Sequence, residues 1–151
     1  MKELSGLSPS LEIDYSRRFG GLARLYGNKG LESFENAHVC VIGIGGVGSW
    51  AAEALARSAI GRITLIDLDN VAESNVNRQI HALTGAFGKA KVAAMTERIH
   101  AINPRCEVRE IEDFLTPDNV ADLIAADMDW VVDCMDSFRV KLCLVELCLG
   151  I

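Results

Sequence analysis

His38-Val39-Cys40-Val41-Ile42-Gly43-Ile44-Gly45-Gly46-Val47-Gly48 is an apolar run that ends in a glycine loop, and Asp67-Leu68-Asp69 follows it one strand–helix–strand unit later. Glycines at 43, 45 and 48 let a backbone turn tightly, approach a phosphate closely and pack a helix against a strand. An acidic residue closing the next strand is placed to hold a ribose hydroxyl. By itself G-x-G-x-x-G is a weak signal and also fits a structural glycine turn. The strand before it, the helix after it and Asp67 beyond make it a nucleotide signal. The N–H groups at Val47 to Ser49, at a helix start, favour an anion. Which nucleotide stays open at this point: a redox dinucleotide such as NAD fits, and so does one that is consumed.

The pattern extends outward in both directions. His38 to Gly43 reads as a buried strand, Ser49 to Ser58 as an alanine-rich helix, and Arg62 to Asp67 as a second strand after Gly61. Residues 70–83 are polar and loop-like. Lys89 to Ala101 has helical period, with Val92, Met95 and Ile99 on one face and Asn103-Pro104 beyond it. Cys106 to Phe114 alternates as a strand. Thr116-Pro117 predicts a capped helix to about Ala126. Trp130 to Asp133 is a buried strand, and Phe138 to Leu149 a last helix. Upstream, 17–36 reads as one or two short helices, and 1–16 as irregular and flexible. The alternation of strands and helices predicts an α/β fold, a doubly wound, mostly parallel Rossmann-like sheet over 17–151. The order stops at Gly150-Ile151, where another strand is expected. The expectation is an incomplete domain whose last helix, with Leu142, Leu144, Val145, Leu147 and Leu149, lacks full cover.

A chain of 151 residues, 50% hydrophobic and 24% charged, suits one domain with its own core. The formal net charge of −6 argues against broad non-specific nucleic-acid binding and leaves room for a local basic patch. Five cysteines, an odd number in apolar contexts, read as buried thiols in a reducing, cytoplasmic setting. No stretch reads as a signal peptide or as a membrane span.

The second cluster decides more. Asp67-Leu-Asp69-Asn-Val71 leads into Ser74-Asn75-Val76-Asn77-Arg78-Gln79. A redox cofactor has no general need for so dense a run of amides, carboxylates and a guanidinium, whereas a triphosphate does. Arginine forms bidentate hydrogen bonds to phosphate oxygens, and amides orient them without adding charge. Lys91 adds a point charge at the next helix. Asp136, past the strand ending at Asp133, suits Mg²⁺, which takes one or two carboxylates plus phosphate oxygens. Taken singly, Asn75 and Asn77 also fit as turn formers, Lys91 as a solvated charge and Asp136 as a helix cap.

Read together, the chain resembles the ThiF/MoeB/HesA family of ubiquitin-activating-enzyme-like adenylyltransferases. That pattern is a glycine loop, D-x-D-x-V-x-x-S-N-x-x-R-Q, G-x-x-K and D-x-x-D. Here it reads Gly43 to Gly48 (with Gly45 and Gly46), Asp67 to Gln79, Gly88 to Lys91, and Asp133 to Asp136. The likeness runs from about Arg17 to Lys141 and corresponds to roughly the N-terminal half of a member. It implies ATP and Mg²⁺, with a carboxylate adenylated at the α-phosphate. By motif position Asp67 holds the ribose of ATP, and Asp69 and the glycine loop belong to the ATP site. Ser74, Asn75, Asn77, Arg78 and Gln79 line the phosphates, and Asp136 holds the metal. Arg78, Lys91 and Asp136 carry the catalysis.

Within the family, Arg18 to Gly27, Gly43 to Arg57 and Asn77 to Ala82 are similar to the branch of tRNA threonylcarbamoyladenosine dehydratases. That likeness implies ATP-dependent cyclisation of a carboxylate-bearing adenosine next to the anticodon, a homodimer, and partners from a cysteine desulfurase system. Activators of ubiquitin-like sulfur carriers usually begin R-Y-x-R-Q, with the second arginine reaching the partner subunit's ATP. Here Gly21 stands in that place, so the contact falls to Arg18, to Arg24 or to neither. A carrier-protein activator and an inactive nucleotide-binding fragment are the alternatives. His81, in the loop beside the cluster, is expected to be solvated and within reach of substrate. Cys134 is expected in the core.

Overall fold

Every residue of β1 (His38–Ile42) is buried, which is why this strand has no polar face. A computed structural model describes residues 13–150. In it β1 pairs in parallel with β2 (Arg62–Ile66) on one side and β4 (Trp130–Asp133) on the other. β3 (Glu107–Ile111) extends the sheet beyond β2, giving the parallel order β3-β2-β1-β4. Alternate side chains feed two cores. Val39, Val41, Ile63 and Leu65 pack with α2 (Gly48–Arg57) and α3 (Lys91–Ile102). Cys40, Ile42 and Ile66 pack with α4 (Val120–Leu123) and α5 (Phe138–Leu149).

α1 (Tyr15–Asn36) opens on Asp14, whose side chain accepts from Arg17 N at 2.9 Å. It breaks at Gly27, whose φ of 77° few residues but glycine adopt. Its two segments match the expectation of short helices. The helix begins before residue 17, because Asp14 caps it; the rest of the stretch expected to be flexible lies outside the described residues. Arg18 Nη1 donates to Ala101 O and Ile102 O at 3.3 and 2.7 Å, capping the C-terminus of α3.

α2 and α3 are clamped together by Glu53, which bonds Arg57 at 2.9 Å and also Arg98. Burial pushes the Glu53 carboxyl up, and the hydrogen bonds and charges of Arg98 and Arg57 outweigh this and hold it below the usual range. His38 Nε2 meets Thr64 Oγ1 at 2.9 Å and its Nδ1 meets Asp127 O at 3.1 Å, tying the approach to β4 to the sheet.

The helix expected from Thr116 to Ala126 is instead a single turn, Val120–Leu123. Asn119 is the reason. Its Oδ1 accepts from Thr116 N at 2.7 Å and its Nδ2 donates to Phe114 O at 2.9 Å, so side-chain bonds take the place of helical ones. On α5, Val140 and Leu144 are buried while Phe138, Leu142, Val145 and Leu149 lie exposed at helical spacing. Among the described residues no helix is long and apolar enough to cross a membrane.

Candidate active site

A cleft of about 450 Å³ opens where all four strands end at their carboxyl edge, as expected for a parallel sheet. Its floor is the glycine loop. Gly43 has φ +84° and donates to Ile66 O at 2.8 Å, and a Cβ there would lie 3.0 Å from Cys134 O. A Cβ on Gly48 would come within 1.8 Å of Gly43 O, so this glycine sets how closely α2 seats on the loop. Gly45 and Gly46 line the cleft itself and present bare backbone. No side chain caps α2. One part of the anion expectation changes, since Ser49 N–H donates to Gly45 O at 3.1 Å and is spent within the loop.

Asp67 ties the loop to β2. Its Oδ2 accepts from Ile44 N at 2.6 Å and its Oδ1 from Asp69 N at 2.9 Å. Each carboxylate oxygen has further acceptor capacity, so a hydroxyl can still be held there. Lys91 opens α3 and is buried, not solvated. Its Nζ donates to Asp69 Oδ2 at 2.7 Å and stands 3.8 Å from Asp67 Oδ1. These carboxylates pair the buried ammonium.

Arg78 is exposed and its stem packs on Gly46, where a Cβ would sit 3.4 Å from Arg78 Cγ. Its Nη1 donates to Ser74 O at 2.9 Å and Asn77 Oδ1 at 3.0 Å. Nη2 and Nε make no hydrogen bond among the described residues, which leaves one edge of the guanidinium for a ligand. Asn75, a buried turn former, accepts from Ala72 N at 3.0 Å through Oδ1. Gln79 lines the cleft, buried, and its Oε1 has no partner among the described residues. His81 is 2% exposed, with both ring nitrogens unpartnered among the described residues, so the solvated loop histidine expected from the sequence is instead buried. Burial first, and then the charge of Lys91, pushes its pKa down to about 4.

Across the cleft Asp136 is exposed, and the helix-cap position belongs to Ser137. Asp133 is engaged by Lys141 Nζ at 2.8 Å and Met135 N at 3.0 Å. Among the described residues no group of three or more His, Cys, Asp or Glu side chains gathers as a ready metal site. One carboxylate facing a phosphate cleft still fits Mg²⁺, which takes most of its oxygens from phosphate and water. Cys134 is half-buried and packs against the α2-side core, and burial raises its thiol pKa.

The cleft thus gathers Gly43, Gly45, Gly46, Asp67, Asp69, Arg78, Gln79, Lys91 and Asp136. Gly48, Ser74, Asn75 and Asn77 are not among the residues lining it. Arg18 sits at the far end of α3 from Lys91. Sequence reasoning missed Asp113, Phe114 and Leu115, which line the cleft from the segment after β3. The rule that ligands lie beyond strand carboxyl ends would have found them. It also missed Trp50, whose Nε1 donates to Arg78 O at 2.9 Å.

The ThiF family pattern matches residues 15–150. The chain belongs to the ThiF family. It is 57% identical over 134 residues to the tRNA threonylcarbamoyladenosine dehydratase of Escherichia coli K12, covering 89% of this chain and 50% of that protein. A crystal structure of the E. coli dehydratase in complex with ATP superposes with a TM-score of 0.87 at 56% identity, covering 90% of this chain and 56% of that one. The molybdopterin-synthase adenylyltransferase of E. coli is more distant, 30% identical over 138 residues, covering 91% of this chain and 54% of that protein. This ThiF-family chain therefore spans about half the length of the curated relatives it matches.

Proposed function

We propose that the chain carries the ATP-binding and adenylating part of a tRNA threonylcarbamoyladenosine dehydratase. The observation that carries this reading is the meeting of Arg78, Gln79, Lys91 and Asp136 in one cleft over a bare glycine wall. A redox dinucleotide would not call for that set, and the ATP-bound dehydratase shares both fold and sequence.

The chemistry follows from positioning and electrostatics. ATP lies with its phosphates over Gly45 and Gly46. Asp67 accepts from a ribose hydroxyl, and Arg78 offers its free edge to phosphate oxygens. Lys91 leaves its bond to Asp69 for the phosphate that receives the attack. Asp136 is the carboxylate that would hold Mg²⁺, which would supply neutralisation of phosphate charge. The substrate carboxylate attacks the α-phosphorus, an acyl adenylate forms and pyrophosphate departs. A nucleophile of the same side chain then displaces AMP and closes the ring, so the oxygen lost from the carboxyl leaves on AMP. In a homodimer, Arg24, which is exposed, is the arginine available to reach the neighbouring copy's phosphates.

The test is to incubate the protein with ATP, Mg²⁺ and modified tRNA, and to follow nucleosides by mass spectrometry beside nucleotide products. The reading expects the cyclic nucleoside with AMP and pyrophosphate in equal amounts. Pyrophosphate exchange that requires a diglycine-ended carrier protein would move the assignment to a sulfur-carrier activator. ATP binding without either reaction would leave a nucleotide-binding fragment, and tighter binding of NAD than of ATP would overturn the reading outright.

A further inference from the structure

Four arginines join into one line that runs from the nucleotide cleft to the far end of α3. Arg78 lines the cleft, and with Arg98 it also lines a smaller cavity beside it. Arg98 and Arg57 hold the two carboxylate oxygens of Glu53, one each. Arg57 and Arg18 line a further cavity of about 400 Å³. Arg18 is bonded to the last carbonyls of α3, and just past them Arg105 stands 4.4 Å over the Tyr15 ring at the start of α1. The guanidinium groups are fixed along one edge and open along another. Arg57 turns Nε and Nη2 to Glu53, and its Nη1 makes no hydrogen bond among the described residues. Arg18 uses Nη1 on α3, and its Nε and Nη2 are likewise uncommitted. Glu53 is buried at 6% exposure, while the Arg57 side chain is 60% exposed. Positive charge therefore faces outward here and the carboxylate inward.

An arginine fork held on one side and open on the other is preorganised for a phosphate or carboxylate. α3 has 12 residues, so the line covers about 17 Å of surface, room for several successive phosphates. A chain of net charge −6 meets RNA through such a local gathering of cations. We propose that this arginine line carries the phosphodiester backbone of the RNA as it leads away from the reacting nucleoside. This rests on the dehydratase reading, in which the carboxylate consumed in the cleft is part of an RNA, so that backbone has to cross the surface beside Arg78. An acidic peptide would fit the same forks, but nothing ties it to the cleft at which the line begins.

Arg57 and Arg105 do not line the nucleotide cleft, so they are the positions to change. Affinity for a labelled anticodon stem-loop RNA is measured by anisotropy across a KCl series. ATP affinity by calorimetry and the sedimentation coefficient are read on the same proteins. The logarithm of RNA affinity is expected to fall linearly with the logarithm of salt. Arg57→Gln and Arg105→Gln are each expected to reduce that slope by about one, and the double variant by about two. The loss is expected to be equal for stem-loops with and without the modified adenosine, because phosphate contacts carry no sequence information. Arg57→Lys, which retains the charge, is expected to keep the parent slope, and ATP affinity is expected to match the parent throughout. Arg105→Gln keeps the test open should Glu53, left with Arg98 alone, unfold the Arg57→Gln variant. RNA binding with the parent slope in the double variant would overturn the arginine line while leaving the tRNA reading intact. A double variant that changes only the sedimentation coefficient would overturn it in favour of a contact between copies. ATP binding with no RNA binding by the parent would sink both, and polyglutamate held in place of RNA would mark an acidic peptide as the occupant.

Discussion

Lys91 is the residue we propose to serve the fold and the reaction in turn. Without ligand its ammonium is held by Asp69 at 2.7 Å, inside a wall too buried for a bare charge. Asp69→Ala is expected to weaken folding and ATP binding together, as it strands a buried cation. Arg78 is different, because its guanidinium is exposed and only half engaged. Arg78→Ala is expected to cost about tenfold or more in ATP affinity, the scale of a charge-assisted hydrogen bond, with a nearly unchanged Tm. Calorimetric titration beside thermal melting checks both variants.

His81 gives the residue scale its pH dependence. It faces Lys91, Asp67 and Arg98, and its pKa is lowered from 6.5 to about 4. Between those values the unfolded chain binds the proton that the folded chain refuses. Stability therefore rises with pH through that window and is lost as pH falls. Urea unfolding at pH 7 and pH 4.5 is expected to show His81→Gln losing less stability on acidification than the parent. The two differ by up to about 3 kcal/mol over the whole window. An identical loss in both proteins would contradict the assignment.

At the scale of elements, the glycine loop and the strands were legible because local chemistry and tertiary need agree there. Gly43 needs its left-handed backbone, and Gly48 has backbone oxygen where a Cβ would go. Gly48→Ala is expected to destabilise the fold by about 3 kcal/mol or more, measured by denaturant midpoint, because the loop would have to part from α2. α4 was misjudged because Asn119 offers its neighbours bonds that compete with a helix. His81 was misplaced on a solvated-to-buried scale, since nothing local in a polar loop states what will pack over it. Trp50 could be placed on a helix but not against Arg78, a contact across 28 positions. The same burial separates the thiols. Cys40 and Cys106 are buried and desolvation pushes each to about 12, whereas Cys148 on α5 is exposed. Native-state alkylation mapped by mass spectrometry is expected to label Cys148 first and to reach Cys40 and Cys106 only on unfolding.

At the scale of the molecule, one parallel sheet brings the ends of four separated segments to one edge, and that edge is the cleft. Residues as far apart as Gly43 and Asp136 become neighbours through topology, not through proximity in the chain. α5 carries an outward apolar stripe, and Trp130 on β4 is exposed. The central claim is that this cleft spends ATP by adenylating a carboxylate. The most direct measurement uses tRNA whose threonylcarbamoyl carboxylate is labelled with ¹⁸O, turned over with ATP, and the nucleotide products weighed by mass spectrometry. The account predicts one ¹⁸O in AMP and none in the released pyrophosphate. Label appearing in inorganic phosphate with ADP as product, or cyclic nucleoside formed with no label in AMP, would contradict it.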